Sequence, residues 1–400
     1  MTRWLTLVGI GEDGVDGLSP AARARIETAE ILYGGARHLA LAEGLGQAER
    51  RPWPSPFERG VAEVLALRGR PVCVLASGDP FFYGVGATLA RQIPAEEMEV
   101  LPAPSSVSLA ASRLGWPLQD VTTVSVHGRP LELLRPHLHP KRKLLVLTPD
   151  GSGPAAIAAY LVGLGFGDSR LTVLDALGGP AERVRSALAR DFDLTDVAAL
   201  NLVAIETGES SGLVIPFTPG LPDAAFTHDG QITKSEVRAV TLAALAPRHG
   251  ERLWDIGAGS GSVAIEWMLA DRSLSATAIE VDAARAARIS GNAAALGVPG
   301  LEVVIGAAPD ALAGLAAPDA VFVGGGGSAP GVLDAAMAAL KPGGRLVANG
   351  VTLEMEAVLL AAYAEHGGAL RRIAIDRAET LGTMTGWRPA RPVVQWVWTK

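Results

Sequence analysis

Residues 253–267 read LWDIGAGSGSVAIEW and carry the strongest structural pattern of the chain. An apolar run is followed by Gly257, Gly259 and Gly261, and from Ser262 onward apolar residues return at helical spacing. Glycine suits such a loop because the turn is tight and because a ligand must approach the backbone without meeting a Cβ atom. The stretch therefore predicts a strand, a ligand-binding glycine loop and a helix.

Two acidic residues near this loop indicate its ligand. Asp255 lies just before the glycines, where its charge would repel a pyrophosphate but would suit an ammonium group. Glu280 ends the next apolar run, at the distance where a Rossmann-type unit places a carboxylate on ribose hydroxyls. Together they favour an adenosine that carries an amino acid, which is S-adenosylmethionine. A dinucleotide site is disfavoured because Ser262 replaces the third glycine of GxGxxG, and a helix cap with ordinary surface acids is the other alternative.

The composition is that of a well-packed globular chain with two domains. Its 400 residues exceed the usual size of one core, and 48% of them are hydrophobic. Only 19% are charged, the net charge is −7 and no Lys/Arg run occurs, so we expect no nucleic-acid partner. The single cysteine, Cys73, lies in an apolar run, and we expect no metal site. No signal-peptide pattern or bilayer-length apolar stretch is found, which predicts no membrane contact and a cytoplasmic location.

Three loops stand out in the first half. The strand over residues 4–10 runs into closely spaced glycines, the stretch PVCVLASGDPFFYG (71–84) delivers a Gly-Asp-Pro turn, and PAPSSVS (102–108) begins a helix at a pair of serines. The candidate cofactor-binding residues of this half are Gly9, Gly11, Gly78, Asp79, Pro80, Ser105 and Ser106.

These loops, in this order, resemble the tetrapyrrole methylase family of S-adenosylmethionine methyltransferases. The resemblance implies that the cofactor lies folded in a cleft between two α/β lobes, the second lobe covering about residues 121–207. Arg113, His127 and Arg129 follow the loops and are candidates for binding substrate carboxylates, because guanidinium groups bind carboxylates bidentately.

The junction between the halves is the Gly-, Ser- and Pro-containing stretch 206–223. We therefore predict one domain over residues 1–212, a linker over 213–222 and a second domain over 223–400. Neither half repeats the other, because the first begins with its glycines whereas the second begins with a helix.

The helix predicted before the glycine loop supplies the candidate catalytic residues. Thr233 and Glu236 have the spacing of a capping box for it. Lys234 and Arg238, one turn apart, are expected to form a cationic edge near the cofactor. With Glu236 or His228 as a proton handler, these two cations are the candidates for holding substrate carboxylates.

The remainder of the second half alternates strands and helices, which predicts a parallel, doubly wound sheet. Gly306 and Ala307 follow one strand and are further candidate cofactor-binding residues. The final run RPVVQWVWTK is predicted to add an antiparallel edge strand.

This order resembles the class I methyltransferase fold, and the segments ITKSEVRA, DIGAGSGSVAIE and PDAVFVGGGGS resemble the decarboxylating precorrin methyltransferases of cobalamin biosynthesis. The two resemblances together imply one S-adenosylmethionine site per domain and a precorrin substrate. They further imply methylation of its carbons 5 and 15 and decarboxylation of the acetate on carbon 12, giving precorrin-8, by a homo-oligomer. The alternatives are another tetrapyrrole or an RNA as methyl acceptor, a dinucleotide-dependent oxidoreductase, and a non-catalytic cofactor-binding protein.

Overall fold

The computed structural model describes residues 3–400, which form two compact units. The first unit comprises the chain up to Arg129 together with His139–Gly212, and the second comprises Pro130–Leu138 together with Leu213–Lys400. The nine-residue stretch Pro130–Leu138 thus belongs structurally to the second unit although it lies within the first half of the sequence.

The first unit contains two five-stranded sheets. The first sheet is entirely parallel, with the order β3-β2-β4-β1-β5. Its strands are β1 (Leu5–Ile10), β2 (Ile31–Gly34), β3 (Glu49–Pro52), β4 (Val72–Ser77) and β5 (Met98–Leu101). Its helices are α1 (Pro20–Thr28), α2 (Ala36–Leu41), α3 (Phe57–Ala66) and α4 (Val85–Leu89).

The second sheet of this unit is mixed and has the order β6-β7-β10-β8-β9, with only the β6–β7 pair parallel. Its strands are β6 (Val121–Ser125), β7 (Lys143–Leu147), β8 (Arg170–Asp175), β9 (Arg183–Leu188) and β10 (Asn201–Glu206). The accompanying helices are α5 (Ser106–Leu114) and α6 (Gly153–Gly163). The predicted two-lobed α/β architecture is confirmed.

The second unit is built on a seven-stranded sheet with the order β13-β12-β11-β14-β15-β19-β16. Its strands, together with the separate hairpin β17–β18, are β11 (Arg252–Ile256), β12 (Ser275–Glu280), β13 (Glu302–Ile305), β14 (Ala320–Val323), β15 (Arg345–Gly350), β16 (Ala369–Ile373), β17 (Asp376–Leu381), β18 (Met384–Pro389) and β19 (Val393–Thr399). Its helices are α7 (Ser235–Leu245), α8 (Ser262–Ala270), α9 (Ala283–Ala295), α10 (Val332–Ala339) and α11 (Leu353–His366). The first five strands of the order are mutually parallel, which confirms a Rossmann-like fold.

Alternate residues of this sheet enter two separate cores, as expected from the period of two along a strand. Phe322 and Val347 pack into the core with Trp267 of α8, whereas Val321 and Leu346 pack into the core with Met337 and Trp396 on the opposite face. Because both faces are covered, the apolar runs of the central strands are continuous, and this is why they are recognisable in the sequence.

Three local predictions are corrected. The C-terminal strand β19 is antiparallel but not at the edge, because β16 pairs with its outer side. Thr233 does not cap α7: the N-cap is Lys234, and no side chain accepts a hydrogen bond there. The stretch predicted as a linker has no regular structure over residues 213–222, yet Ile215 and Leu221 are buried in the core beside α8, so it is held against the second unit.

Candidate functional site

The predicted loops of the first unit follow the carboxyl ends of the adjacent strands β1, β4 and β5. The amide of Ala103 donates to the carbonyl of Gly78 over 3.0 Å, and the amide of Gly78 donates to the carbonyl of Ile10 over 3.2 Å. A Cβ atom on Gly9 would lie 1.8 Å from the oxygen of Gly78. Gly9 is therefore required for the loops to meet.

A cleft of about 550 Å³ opens beside these loops within the first unit. Gly11, Gly78, Ser105 and Ser106 line it, as the predicted cofactor contacts require. Its lining does not include Gly9, Asp79 or Pro80.

Asp79 and Pro80 instead fold the turn itself. The Asp79 carboxylate accepts the amide of Phe81 over 2.8 Å, and the carbonyl of Pro80 accepts the amide of Gly86 over 2.9 Å. Asp79 and Pro80 therefore shape the loop, and their contact with the cofactor remains a prediction.

The cleft also contains a cationic cluster that the sequence analysis missed. Arg37, His38 and Ser77 are hydrogen-bonded to one another, and Glu12 forms an ion pair with Arg37. The available signal was the segment GGARH directly after β2, because the carboxyl end of a parallel strand is where ligands bind.

Two of the three candidate substrate-binding cations line the cleft. The guanidinium of Arg129 lies 5.6 Å from the ring centroid of Tyr83, and Nδ1 of His127 lies 3.2 Å from the carbonyl oxygen of Thr148. Arg113 is instead held by a bidentate ion pair with Glu182, which makes it an unsuitable carboxylate receptor.

In the second unit the best-formed part of the candidate site is Asp255 on β11. Its side chain is buried, and one carboxylate oxygen accepts the amide of Ala264 at 3.1 Å. The other oxygen, Oδ1, is buried without a hydrogen-bond partner. Burial, reinforced by the nearby Glu280 carboxylate, raises the pKa of Asp255 to about 7. An unpartnered buried carboxylate oxygen is costly unless a ligand satisfies it, and an ammonium group would do so.

The glycine loop has the backbone that its composition predicts. Gly257, Gly259 and Gly261 have φ values of 69°, 61° and 75°, in the left-handed region that favours glycine. A Cβ on Gly257 would also lie 2.4 Å from the oxygen of Gly325. At Gly259 a Cβ would meet only the oxygen of Gln231, at 3.4 Å, which leaves space for a ligand there.

Glu280 supports this loop as well as ending β12. One carboxylate oxygen accepts the amide of Gly259 over 2.8 Å, and the other accepts the amide of Asp282 over 3.1 Å. The amide of Gly306 donates to the carbonyl of Glu280 over 3.0 Å, which brings the next strand end alongside. Ala307 offers an adenine no side-chain hydrogen bond. Contacts of Glu280, Gly306 and Ala307 with the cofactor remain predictions.

These residues fit an aminoacyl-adenosine. The buried Oδ1 of Asp255 matches an amino group, while the glycine loop admits the adjoining atoms against the backbone. Glu280 lies three residues before the first residue of α9, and its carboxylate is next to that loop.

The prediction of a cationic edge is wrong for Arg238, although both cations lie near the N-terminus of α7. The Arg238 side chain is fully buried, donates from Nε to Glu266 over 2.6 Å and also bonds the carbonyls of Leu221 and Thr233. It therefore holds the stretch before α7 against α8 and is not available to a substrate. Arg238 does lie on the predicted helix, but its side chain points to the interior.

Lys234, Glu236 and His228 remain accessible. Lys234 forms an ion pair with Asp223 over 3.2 Å, and its side chain is 45% exposed. Glu236 pairs with Arg377 of β17 over 2.6 Å. Nδ1 of His228 accepts the amide of Gly230 over 3.0 Å.

Residues 227–234 are tied to the glycine loop from two sides. The side-chain amide of buried Asn292 bonds the backbone of Thr227 and the carbonyl of Ser260. Asp229 pairs with Arg285 and Arg288 of α9. The segment that carries His228 and Lys234 is thus positioned by the same elements that form the cofactor loop.

Residues 3–400 contain no group of three His, Cys, Asp or Glu side chains arranged to hold a metal ion. None of the helices described is both long and apolar enough to cross a bilayer.

Both halves of the chain match known protein families. Residues 4–193 match the model of the tetrapyrrole (corrin/porphyrin) methylases, and residues 224–400 match the model of the precorrin methyltransferase domain. A Sinorhizobium precorrin-6Y C(5,15)-methyltransferase [decarboxylating] is 62% identical over 398 residues, covering 99% of this chain and 96% of that protein.

Two Salmonella typhimurium proteins match about half of the chain each. A cobalt-precorrin-7 C(5)-methyltransferase is 32% identical over 201 residues, which cover 49% of this chain and 98% of that protein. A cobalt-precorrin-6B C(15)-methyltransferase (decarboxylating) is 37% identical over 167 residues, which cover 40% of this chain and 85% of that protein. The resemblances identified from the loops are confirmed, and the full-length similarity shows that the chain belongs to the family of decarboxylating precorrin-6Y C(5,15)-methyltransferases.

Proposed function

We propose that the two units divide the reaction: the first, up to residue 212, methylates carbon 5 of a precorrin, and the second, residues 223–400, methylates carbon 15 and decarboxylates the acetate on carbon 12. The observation that carries this proposal is that each unit has its own loop cluster at the carboxyl edge of its own parallel sheet. Two half-length relatives with the separate carbon 5 and carbon 15 activities support the same division. One S-adenosylmethionine site per unit follows from it.

The residues described suit a methyl transfer that is accelerated by the positioning of the two reactants. Bound S-adenosylmethionine supplies a methyl group on a sulfonium, which an electron-rich ring carbon attacks in line. In the second unit, Oδ1 of Asp255 receives the amino group and the glycine loop fixes the adjoining atoms. Holding two reactants in line contributes most of the acceleration in such a reaction, on the order of 10⁵ M or more in effective concentration.

Decarboxylation needs a cation for the acetate and a group that manages a proton. Lys234 is accessible and is held by Asp223 at the N-terminus of α7. Because Nδ1 of His228 accepts a backbone amide, its neutral imidazole carries its proton on Nε2, from which it can donate a hydrogen bond. Glu236 is the second proton handler, although hydrogen bonds from its own backbone amide and from Arg377 lower its pKa and favour the carboxylate.

The experiment is product analysis of the full-length chain with one site disabled at a time. Incubation with ¹³C-methyl S-adenosylmethionine lets NMR report the methyl groups at carbons 5 and 15 separately, and mass spectrometry reports the loss of carbon dioxide. Gly78→Val should abolish only the carbon 5 label, because a Cβ there would lie 2.7 Å from the oxygen of Pro104. Gly257→Val should abolish the carbon 15 label. The reverse assignment, or loss of both labels in either variant with the protein folded, would contradict the division.

Lys234→Ala tests the decarboxylation site. We expect it to slow loss of carbon dioxide while binding of S-adenosylmethionine is retained. Lys341→Ala, another exposed lysine paired with an aspartate, is the matched control. Unchanged decarboxylation in the Lys234 variant would remove this residue from the mechanism.

We further infer that the chain forms a homo-oligomer. Three large apolar side chains on the hairpin β17–β18, Leu381, Met384 and Trp387, are between 72% and 76% exposed, and such surface is commonly buried in an interface. Light scattering after gel filtration tests this, and a monomeric mass at micromolar concentration would reject it. Cytoplasmic localisation remains a prediction.

A further inference from the structure

The first unit contains a hydrogen-bonded array with no role in the reaction described so far. Nε2 of His38 lies 2.8 Å from Oγ of Ser77, and Nη2 of Arg37 lies 2.9 Å from the same nitrogen and 2.7 Å from the same hydroxyl oxygen. Glu12 forms an ion pair with Arg37 from the other side. All four residues line the cleft that the cofactor loops border.

The direction of each hydrogen bond follows from the chemistry of the groups. A guanidinium group can only donate, so Nε2 of His38 is an acceptor and the neutral imidazole carries its proton on Nδ1, which is buried without a hydrogen-bond partner. The hydroxyl of Ser77 accepts from Nη2 of Arg37, shares the Nε2 acceptor by donating its own proton to it, and keeps one lone pair for another partner. Because Ser77 is exposed at the end of β4, that lone pair is accessible from the cleft.

The electrostatic surroundings keep this imidazole uncharged. Burial and the adjacent guanidinium of Arg37, on the same helix, lower the pKa of His38 to about 4. The other charged or titratable groups that line this cleft are Glu12, which pairs with Arg37, Arg91, which follows α4, and His127 and Arg129. At neutral pH His38 is consequently uncharged and acts as a weak base, which releases a proton readily once it has accepted one.

Methylation of a ring carbon that bears a hydrogen requires such an acceptor. A bond forms between the ring carbon and the methyl carbon, the bond from that methyl to sulfur breaks, and its electron pair remains on sulfur. The ring is left with one positive charge. The hydrogen on the methylated carbon must then leave as a proton, its bonding pair returning to the ring system. A carbon acid next to a cationic ring is acidic enough for a weak base.

We propose that Ser77 and His38 form the proton-accepting site of the first unit. Ser77 takes the proton from the methylated ring carbon while its own proton passes to Nε2 of His38, and the imidazolium returns it to solvent. Arg37 and Glu12 are positioning residues that fix the acceptor tautomer of His38. This inference rests on the proposed carbon 5 methylation by the first unit.

The test uses the full-length chain, His38→Ala and Ser77→Ala, with His249→Gln as the control because His249 is 90% exposed on the second unit. Both variants should lower kcat for carbon 5 methylation by about 10²-fold or more, the usual contribution of a general base. Calorimetric affinity for S-adenosylmethionine should be unchanged. Added imidazole should restore carbon 5 methylation in His38→Ala but not in Ser77→Ala.

Two results would overturn the proposal: an unchanged carbon 5 rate in folded His38→Ala, or a loss of rate matched by an equal loss of cofactor affinity and not rescued by imidazole. Failure of the underlying division of labour is distinguishable from either. In that case the variants would lower the label at carbon 15 and leave carbon 5 unaffected.

Discussion

At the scale of single residues, Gly9 is the most constrained glycine of the first unit. A Cβ atom there would lie 1.8 Å from the oxygen of Gly78 and 2.5 Å from the nitrogen of Ala103, both backbone atoms that cannot rotate away. We expect Gly9→Ala to destabilise the first unit by about 1–3 kcal/mol, as overpacking does, and to weaken cofactor binding there because the loops are forced apart. Urea unfolding and calorimetric titration measure the two effects.

Gly163→Ala is the matched control for this variant. Gly163 ends α6 in the same unit, and a Cβ there would meet no atom within 4 Å. It should be neutral or slightly stabilising, because alanine favours a helix over glycine. Equal stability of the Gly9 and Gly163 variants would show that the loops tolerate separation.

Asp255 gives the second unit a specific pH dependence. Its pKa is raised to about 7 in the folded chain, above the ordinary value of 3.8. Between these two values the folded chain keeps the proton that the unfolded chain has lost. This contribution to stability is therefore fully present at low pH and decreases as the pH rises toward 7. Asp255→Asn should raise the melting temperature of the ligand-free protein at pH 8 and weaken S-adenosylmethionine binding by the second unit.

Asp271→Asn is the corresponding control, because hydrogen bonds from Ser273 lower the pKa of this largely exposed carboxyl. It should give no gain in melting temperature at pH 8. A melting temperature of Asp255→Asn at or below that of the unchanged chain at pH 8 would contradict a strained carboxylate at position 255.

The sequence was most informative where chemistry restricts the backbone. Glycines that require a positive φ, and the acidic residue beside them, lie close together in the sequence and can therefore be recognised from it. The direction of a side chain is not: Arg238 and Lys234 lie one turn apart on the same sequence pattern, yet only tertiary packing decides that one is buried and the other is exposed. The Ser77 and His38 array was missed for a related reason, because Ser77 ends β4 whereas His38 lies on α2, and the two meet only in the folded unit.

At the scale of elements, the ion pair of Arg238 with Glu266 joins α7 to α8. Glu266 also accepts the amides of Gly220 and Leu221, so the pair fixes the chain that enters the second unit. Arg238→Met should cost about 3–5 kcal/mol, because it leaves a buried carboxylate without its cation. The double variant with Glu266→Gln should recover part of this loss because it removes the buried charge. The recovery is partial because the two amides donate to different carboxylate oxygens, and the single glutamine oxygen replaces only one of them. Urea unfolding of both single variants and the double variant gives the coupling energy.

Additive effects of the two substitutions would mean that the pair does not couple the helices.

The position of Arg238 also explains why the predicted capping box at Thr233 does not form. Arg238 binds the carbonyl of Thr233, which fixes this residue before the helix, and Lys234 becomes the N-cap instead. The buried side chain of Arg238 thus sets the start of the helix, and its burial depends on tertiary packing that is not visible in a single sequence.

At the scale of the whole molecule, the sequence predicted two α/β units because the apolar runs and glycine loops occur in two independent sets. It did not predict that Pro130–Leu138 joins the second unit. The stretch Pro130–Leu138 has few apolar residues in a periodic pattern, and its contacts are with residues far along the chain. Arg135, for example, donates to the carbonyl of Leu213 over 2.5 Å. A Cβ on Gly297 would lie 2.4 Å from Cδ of Pro136, so α9 ends against this stretch.

This arrangement predicts how the chain behaves when it is divided after residue 212. Leu134 and Arg135 are 0% and 4% exposed within the second unit, so a separate fragment 213–400 would lose their packing and a separate fragment 1–212 would expose them. We expect the fragments to co-purify when they are co-expressed and fragment 213–400 alone to melt at a lower temperature than the second unit of the intact chain. Leu134→Asp in the first fragment should abolish the association, because it places a charge in a buried apolar contact. Leu118→Asp, at a position 45% exposed, should leave it intact. Separate elution of the unmodified fragments would show that residues 130–138 contribute little to holding the second unit together.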